Sequence, residues 1–245
     1  MKKIVKKKPD KEENVLVVLK EHIIKKEAIL GAIVGVLIFL IGFFAYDMFI
    51  PKTIISDDFS SYDKNTWHYV QNSTGEESYN VSIDDGMLKI PKNTIGTEPF
   101  IVSKTFTVNK GKTISIDRDL LINTTEEQDF IAYFVLSSVS DEGSPQDIFY
   151  IEYINSDSAF EINVCVVEDE SLTILETLSF PPNEEFSEAI DFNTSTGMLT
   201  YKANGDSTSV TALVPETNEF ALYMFGESEY DQGDMLVDNI VVKTN

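Results

Sequence analysis

The chain has 245 residues, 41 of them acidic and 19 basic, for a net charge of −22. That balance excludes nucleic acid as a partner, because phosphate binding rests on Lys and Arg, and it repels acidic glycans over most of the surface. The single cysteine, Cys165, excludes an intrachain disulfide and, in the apolar run 164–167, reads as a buried small hydrophobe.

Charge is split along the chain. Residues 1–27 hold nine lysines and five acidic residues, a net of +4, whereas residues 52–245 carry a net of −25. Residues 12–27 have helical periodicity, with Val15, Leu16, Leu19, Ile23 and Ile24 on an apolar stripe. Residues 28–46 are uncharged, and 19 residues of helix would span roughly 29 Å, close to a hydrocarbon core of about 30 Å. With Asp47 beyond it and Pro51 as a stop, the segment 28–50 reads as an uncleaved transmembrane signal-anchor helix. Lysines crowd its N-terminal side, so the 1–27 tail is expected in the cytoplasm and the rest of the chain outside the cell membrane. The lipid bilayer is then an expected partner. Gly31-x-x-x-Gly35 would allow weak homo-oligomerisation through this helix.

Beyond it the pattern turns to short β-rich runs. Strands are expected at 67–71, 79–83, 87–90, 100–108, 113–122, 130–138 and 148–154, and again at 160–167, 172–178, 188–192, 198–202, 209–214, 220–225 and 235–243. Several alternate with period two. Ile114, Ile116 and Arg118 share one side against Ser115, Asp117 and Asp119, and Phe220, Leu222 and Met224 share another. Asp85-Gly86 and Asn204-Gly205 are hairpin dipeptides. Many short strands with turn signals and no long amphipathic helix predict an all-β sandwich over 55–245. Asn72, Asn80, Asn123 and Asn193 each open an N-x-Ser/Thr sequon.

Asp57-Asp58-Phe59-Ser60 with Trp67 opens this region, and 81–90 (VSIDDGMLKI) follows. Residues 190–205 (IDFNTSTGMLTYKANG) form a later hairpin, and Leu236-Val-Asp238-Asn239-Ile240-Val-Val closes the chain. In order and spacing these segments resemble the concanavalin A-like lectin/glucanase superfamily, including laminin-G-like modules. The resemblance implies a jelly-roll sandwich of two antiparallel sheets with its first and last strands adjacent. It also implies binding of glycans or proteins, or cleavage of polysaccharides. The glucanase members carry E-x-D-x-x-E on one strand. The nearest analogue here is Asp147 with Glu152, which regular alternation would put on opposite faces. Catalysis is therefore not expected.

Two sets of candidate site residues follow. Asp57, Asp58 and Asp238 would converge if the terminal strands pair, and such oxygen donors suit a structural Ca2+. The same residues could instead cap turns. Tyr133, Tyr150 and Tyr223, with Glu152 on the face of Tyr150, are candidates for binding sugar. The expected function is a membrane-anchored extracellular module binding carbohydrate or a cell-envelope protein. A structural component of the envelope and a divergent glycoside hydrolase are the alternatives.

Overall fold

The computed structural model describes residues 34, 36–40, 50–70, 80–91, 100–123, 130–140, 145–155, 160–168, 171–181, 185–227 and 234–245. The chain divides into two units, Met1–Ile50 and Pro51–Asn245. In the first, residues 34 and 36–40 are helical. Among the described residues no helix is long and apolar enough to cross a membrane. This finding overturns the transmembrane helix expected over 28–50. With it fall the bilayer as a partner, oligomerisation through that helix, and the cell-membrane location with an extracellular β-domain. The 1–27 tail, Gly31 and Gly35 lie outside the described residues, as does Asn72.

The second unit is an all-β jelly roll of two eight-stranded antiparallel sheets. Sheet A runs β14 (Asp206–Thr211), β13 (Met198–Ala203), β12 (Phe186–Asn193), β7 (Thr113–Asn123), β16 (Asp234–Thr244), β4 (Met87–Pro91) and β3 (Ser82–Asp84). β1 (Lys52–Asp57) also pairs with β16, so the first and last strands are neighbours, with Asp57 opposite Ile240. Sheet B runs β11 (Ser171–Phe180), β10 (Phe160–Glu168), β9 (Pro145–Asn155), β8 (Phe130–Val139), β15 (Glu219–Glu227), β5 (Phe100–Ser103) and β2 (Trp67–Val70), with β6 (Phe106–Thr107) beside β15. The expected run 100–108 is thus two strands, and β1 begins three residues before the expected domain start at 55.

Period-two alternation builds the core. On β7 and β12, Ile114, Ile116, Leu120, Ile190 and Phe192 are wholly buried between the sheets, while Ser115, Asp117 and Asp191 look outward. From sheet B, Phe134, Leu136, Phe149, Ile151, Phe220, Leu222 and Met224 meet them. Full burial of each such side chain stabilises by about 1.5–3 kcal/mol. Trp67 sits at 1 % exposure against Phe59, and its Nε1 donates to Asp57 Oδ2 at 2.9 Å. Both expected hairpin dipeptides have two positive φ angles, 50° and 82° at Asp85-Gly86 and 48° and 92° at Asn204-Gly205. That geometry matches the twist of the flanking strands.

Arg118 follows the alternation into the core, where apolar neighbours surround it. Its Nε donates to Glu188 Oε1 and its Nη2 to the Tyr153 hydroxyl. Tyr153 and Tyr201 both donate to Glu188 Oε2, at 2.8 and 2.6 Å. The guanidinium also lies 3.8 Å from the Phe134 ring centroid. Aromatic faces attract such a cation, and the effect grows where water is excluded.

Candidate functional site: a tyrosine-lined face of sheet B

The outer face of sheet B is built by the residues that alternate with its core positions. On β8, Ala132, Phe134 and Leu136 point inward, which turns Tyr133 and Val135 outward. On β9 the inward set is Phe149, Ile151 and Tyr153, leaving Tyr150 and Glu152 on the outer side. On β15, Leu222 and Met224 are inward and Tyr223 and Phe225 outward. Register then brings these together. Tyr133 is directly opposite Glu152 on one side and Phe225 on the other, while Val135 is opposite Tyr150 and Tyr223. The four candidate sugar-binding residues, Tyr133, Tyr150, Glu152 and Tyr223, therefore share one surface.

Their rings are close. Tyr133 stacks on Phe225 with centroids 5.0 Å apart and meets Tyr150 edge-on at 6.3 Å, and Tyr223 lies 6.4 Å from Phe100. All five are half-buried. Under them Val135, Cys165 and Ala221 form a buried floor.

A β-bulge gives the face a second carboxylate. Leu136 pairs with Phe149, but the next residue, Ser137, pairs with Asp147, so Ile148 is an extra residue on β9. One inserted residue reverses the side-chain parity beyond it. Asp147 thereby joins Tyr150 and Glu152 on the outer face, contrary to the opposite placement expected from regular alternation. Its Oδ1 accepts from the Ser137 hydroxyl and its Oδ2 from the Tyr150 hydroxyl. Glu152 accepts from the Tyr133 hydroxyl at 3.0 Å and from Asn163 Nδ2 at 2.8 Å, and Asn163 Oδ1 accepts from Thr177 at 2.7 Å. Each acid thus fixes one tyrosine hydroxyl, and Glu152 ties four neighbouring strands, β8 to β11, into one polar chain. Burial, and then the hydrogen bond to Asp147, pushes the Tyr150 hydroxyl well above its ordinary pKa. Burial raises that of Tyr223 as well, with the Asp147 charge adding to it. Both remain neutral donors at physiological pH.

The calcium candidates are occupied locally. Asp57 Oδ1 accepts from the Phe59 amide at 2.8 Å and its Oδ2 from Trp67. Asp58 Oδ1 accepts from the Ser60 amide at 3.0 Å, and the two Asp238 oxygens accept from the Asn239 amide and Nδ2. Among the described residues no group of three His, Cys, Asp or Glu is placed to hold a metal.

On the far side of the sandwich a shallow groove of about 310 Å³ lies over β7, β12 and β13, bordered by Asp117, Asp119, Ser187, Lys202 and Asn239. Its charges are internally matched. Lys202 pairs with Asp191 at 3.2 Å, Lys243 with Asp117 at 3.3 Å, and Asp119 accepts from Ser187 and Asn239.

No family model matches the sequence, and no curated protein matches it. Solved structures do. The CBM2 module of the evolved Dit of Lactobacillus casei BL23 phage J-1 matches with a TM-score of 0.56 at 11 % identity, over 79 % of this chain and 95 % of that one. Winged bean acidic lectin complexed with methyl-α-D-galactose gives 0.56 at 10 % identity, over 80 % and 99 %. A structure described for endo-acting O-glycanases that initiate mucin breakdown in the human gut microbiota gives 0.56 at 14 %, over 78 % and 98 %. At these identities the likeness shows the fold alone, a jelly-roll sandwich of two antiparallel sheets.

Proposed function

We propose that the sandwich is a carbohydrate-binding module, without catalysis, whose ligand lies across the outer face of sheet B. One observation carries this reading: Tyr133, Tyr150 and Tyr223 share a surface with Phe225, beside carboxylates that hold two of the hydroxyls in place. Sugar rings present C–H faces to aromatic rings and hydroxyls to polar groups, so a pre-ordered mixture of both suits them. The lectins of this fold bound to galactose derivatives lend support.

The bulge at Ile148 favours one alternative, a glycoside hydrolase using Asp147 and Glu152, since both face the same side. Against it, each of their four oxygens already accepts a hydrogen bond from a neighbouring side chain, and Phe149, which faces the core, stands where the E-x-D-x-x-E pattern has its middle acid. Such carboxylates serve as anchors for tyrosines.

A glycan array with the full chain decides between these. It should be run with calcium and with a chelator, because Asp57, Asp58 and Asp238 are the carboxylates that would hold a structural ion. Retention of at least one glycan, lost in Tyr150→Ala, is the expected result. A blank array in both conditions would remove the reading. Release of new reducing ends from a bound glycan would replace it with the hydrolase.

A further inference from the structure

Sheet B contains no lysine and no arginine in any of its eight strands. It does contain seven acidic residues, Asp147 and Glu152 on β9 and five more on β10, β11 and β15. Sheet A is built differently. Lys89, Arg118, Lys202 and Lys243 all sit in its strands, and each is paired with a carboxylate. The neutralising cations of the sandwich strands are therefore confined to the sheet opposite the tyrosine-lined face.

Building on the glycan-binding reading, we infer that this face selects saccharides carrying free amino groups. Two independent features converge on an ammonium. The Tyr133 ring lies 5.0 Å from that of Phe225 and 6.3 Å from that of Tyr150, and aromatic faces attract cations. Asp147 and Glu152 stand among those rings with no basic side chain in the strands to neutralise them. Their donors, three hydroxyls and the Asn163 amide, leave lone pairs for a further donor, more openly at half-buried Asp147 than at buried Glu152, and a carboxylate takes an ammonium hydrogen bond more strongly than a neutral one. An N-acetylated sugar of the same shape offers no charge. A uronate or sulfated sugar brings a like charge onto strands that carry acidic residues and no cation, which is disfavoured.

The test is calorimetric titration of the full chain at low salt with three oligosaccharides of equal length: oligo-glucosamine, oligo-N-acetylglucosamine and oligo-galacturonate. The expected order is oligo-glucosamine tightest, by about tenfold or more, and oligo-galacturonate without measurable binding. The advantage should shrink as sodium chloride is raised. An acidic protein could also hold a polycation anywhere on its surface. Tyr150→Ala and Glu152→Gln should therefore each remove most of the preference, while Asp119→Asn with Asp191→Asn on sheet A should leave it intact. Equal or tighter binding of the N-acetylated oligomer would overturn the inference and leave glycan binding standing. A preference abolished by the sheet A changes and indifferent to Tyr150 would overturn it too. No binding of any of the three, together with a blank array, would end both readings.

Discussion

Arg118 and Glu188 stand directly opposite each other on β7 and β12, and neither side chain reaches solvent. Arg118 is the only arginine of the chain. Desolvating two charges costs several kcal/mol each, and only their mutual attraction with further hydrogen bonds offsets it. Here those further bonds come from Tyr153 and Tyr201, so four residues from β7, β9, β12 and β13 lock the two sheets together.

Removing one partner leaves the other buried and unpaired. Glu188→Ala is expected to cost about 3–5 kcal/mol in urea unfolding. Arg118→Met combined with Glu188→Gln keeps an acceptor for the two tyrosines and removes both charges. It should cost less than Glu188→Ala alone. A single-variant loss below about 1 kcal/mol would mean that the pair is solvated in practice.

Tyrosine ionisation follows from the same burial. Desolvation raises the hydroxyl pKa of Tyr69, Tyr150, Tyr153, Tyr201 and Tyr223. With the folded value above the unfolded one, about 10, the unfolded chain loses its protons first as pH rises. Stability from these groups is complete below about pH 10 and falls as pH climbs toward the folded values. Spectrophotometric titration should show these five tyrosines ionising late, together with alkaline unfolding. A single titration of all ten tyrosines near their free value would contradict the packing.

Much of this was legible before the fold was known, for identifiable reasons. Period-two alternation put Arg118 on the side of Ile114 and Ile116, and it is indeed inward. It also placed Tyr150 with Glu152. What alternation cannot carry is an inserted residue: Ile148 turns Asp147 to the face of Glu152, and no local signal marks the bulge. β1 was missed because Lys52–Asp57 is an edge strand whose identity depends on pairing with β16, about 190 residues away in sequence. The segregation of cations onto sheet A was likewise hidden, since it appears only when strand order is known. Hydropathy over 28–50 predicted a spanning helix that the described residues do not support.

Gly197 tests the turn between β12 and β13. Its φ is 70°, and a Cβ there would sit 2.4 Å from the Ala212 carbonyl oxygen, which accepts no substitute position because Ala212 N also donates to Gly197 O at 2.8 Å. Gly205 has a similar φ of 92° with open space around it. Left-handed backbone alone costs an alanine about 1–2 kcal/mol. Gly205→Ala should show only that, and Gly197→Ala distinctly more, by thermal or urea unfolding. Equal losses would show that the turn yields without resistance.

Cys165 offers a reporter for the proposed site. It lies opposite Tyr150 on the neighbouring strand, wholly buried, and burial with the nearby Glu152 charge pushes its thiol up to about 12. Thiolate is the reactive form, so both access and ionisation protect it. At pH 8 the folded chain should react with a thiol reagent only as fast as it unfolds. Tyr150→Ala removes the ring beside the thiol and should speed labelling several-fold while the urea midpoint moves little. Having lost its glycan binding, that variant should label at the same rate with and without an oligosaccharide that the unaltered chain retains. Rapid labelling of the unaltered native chain would place Cys165 in solvent.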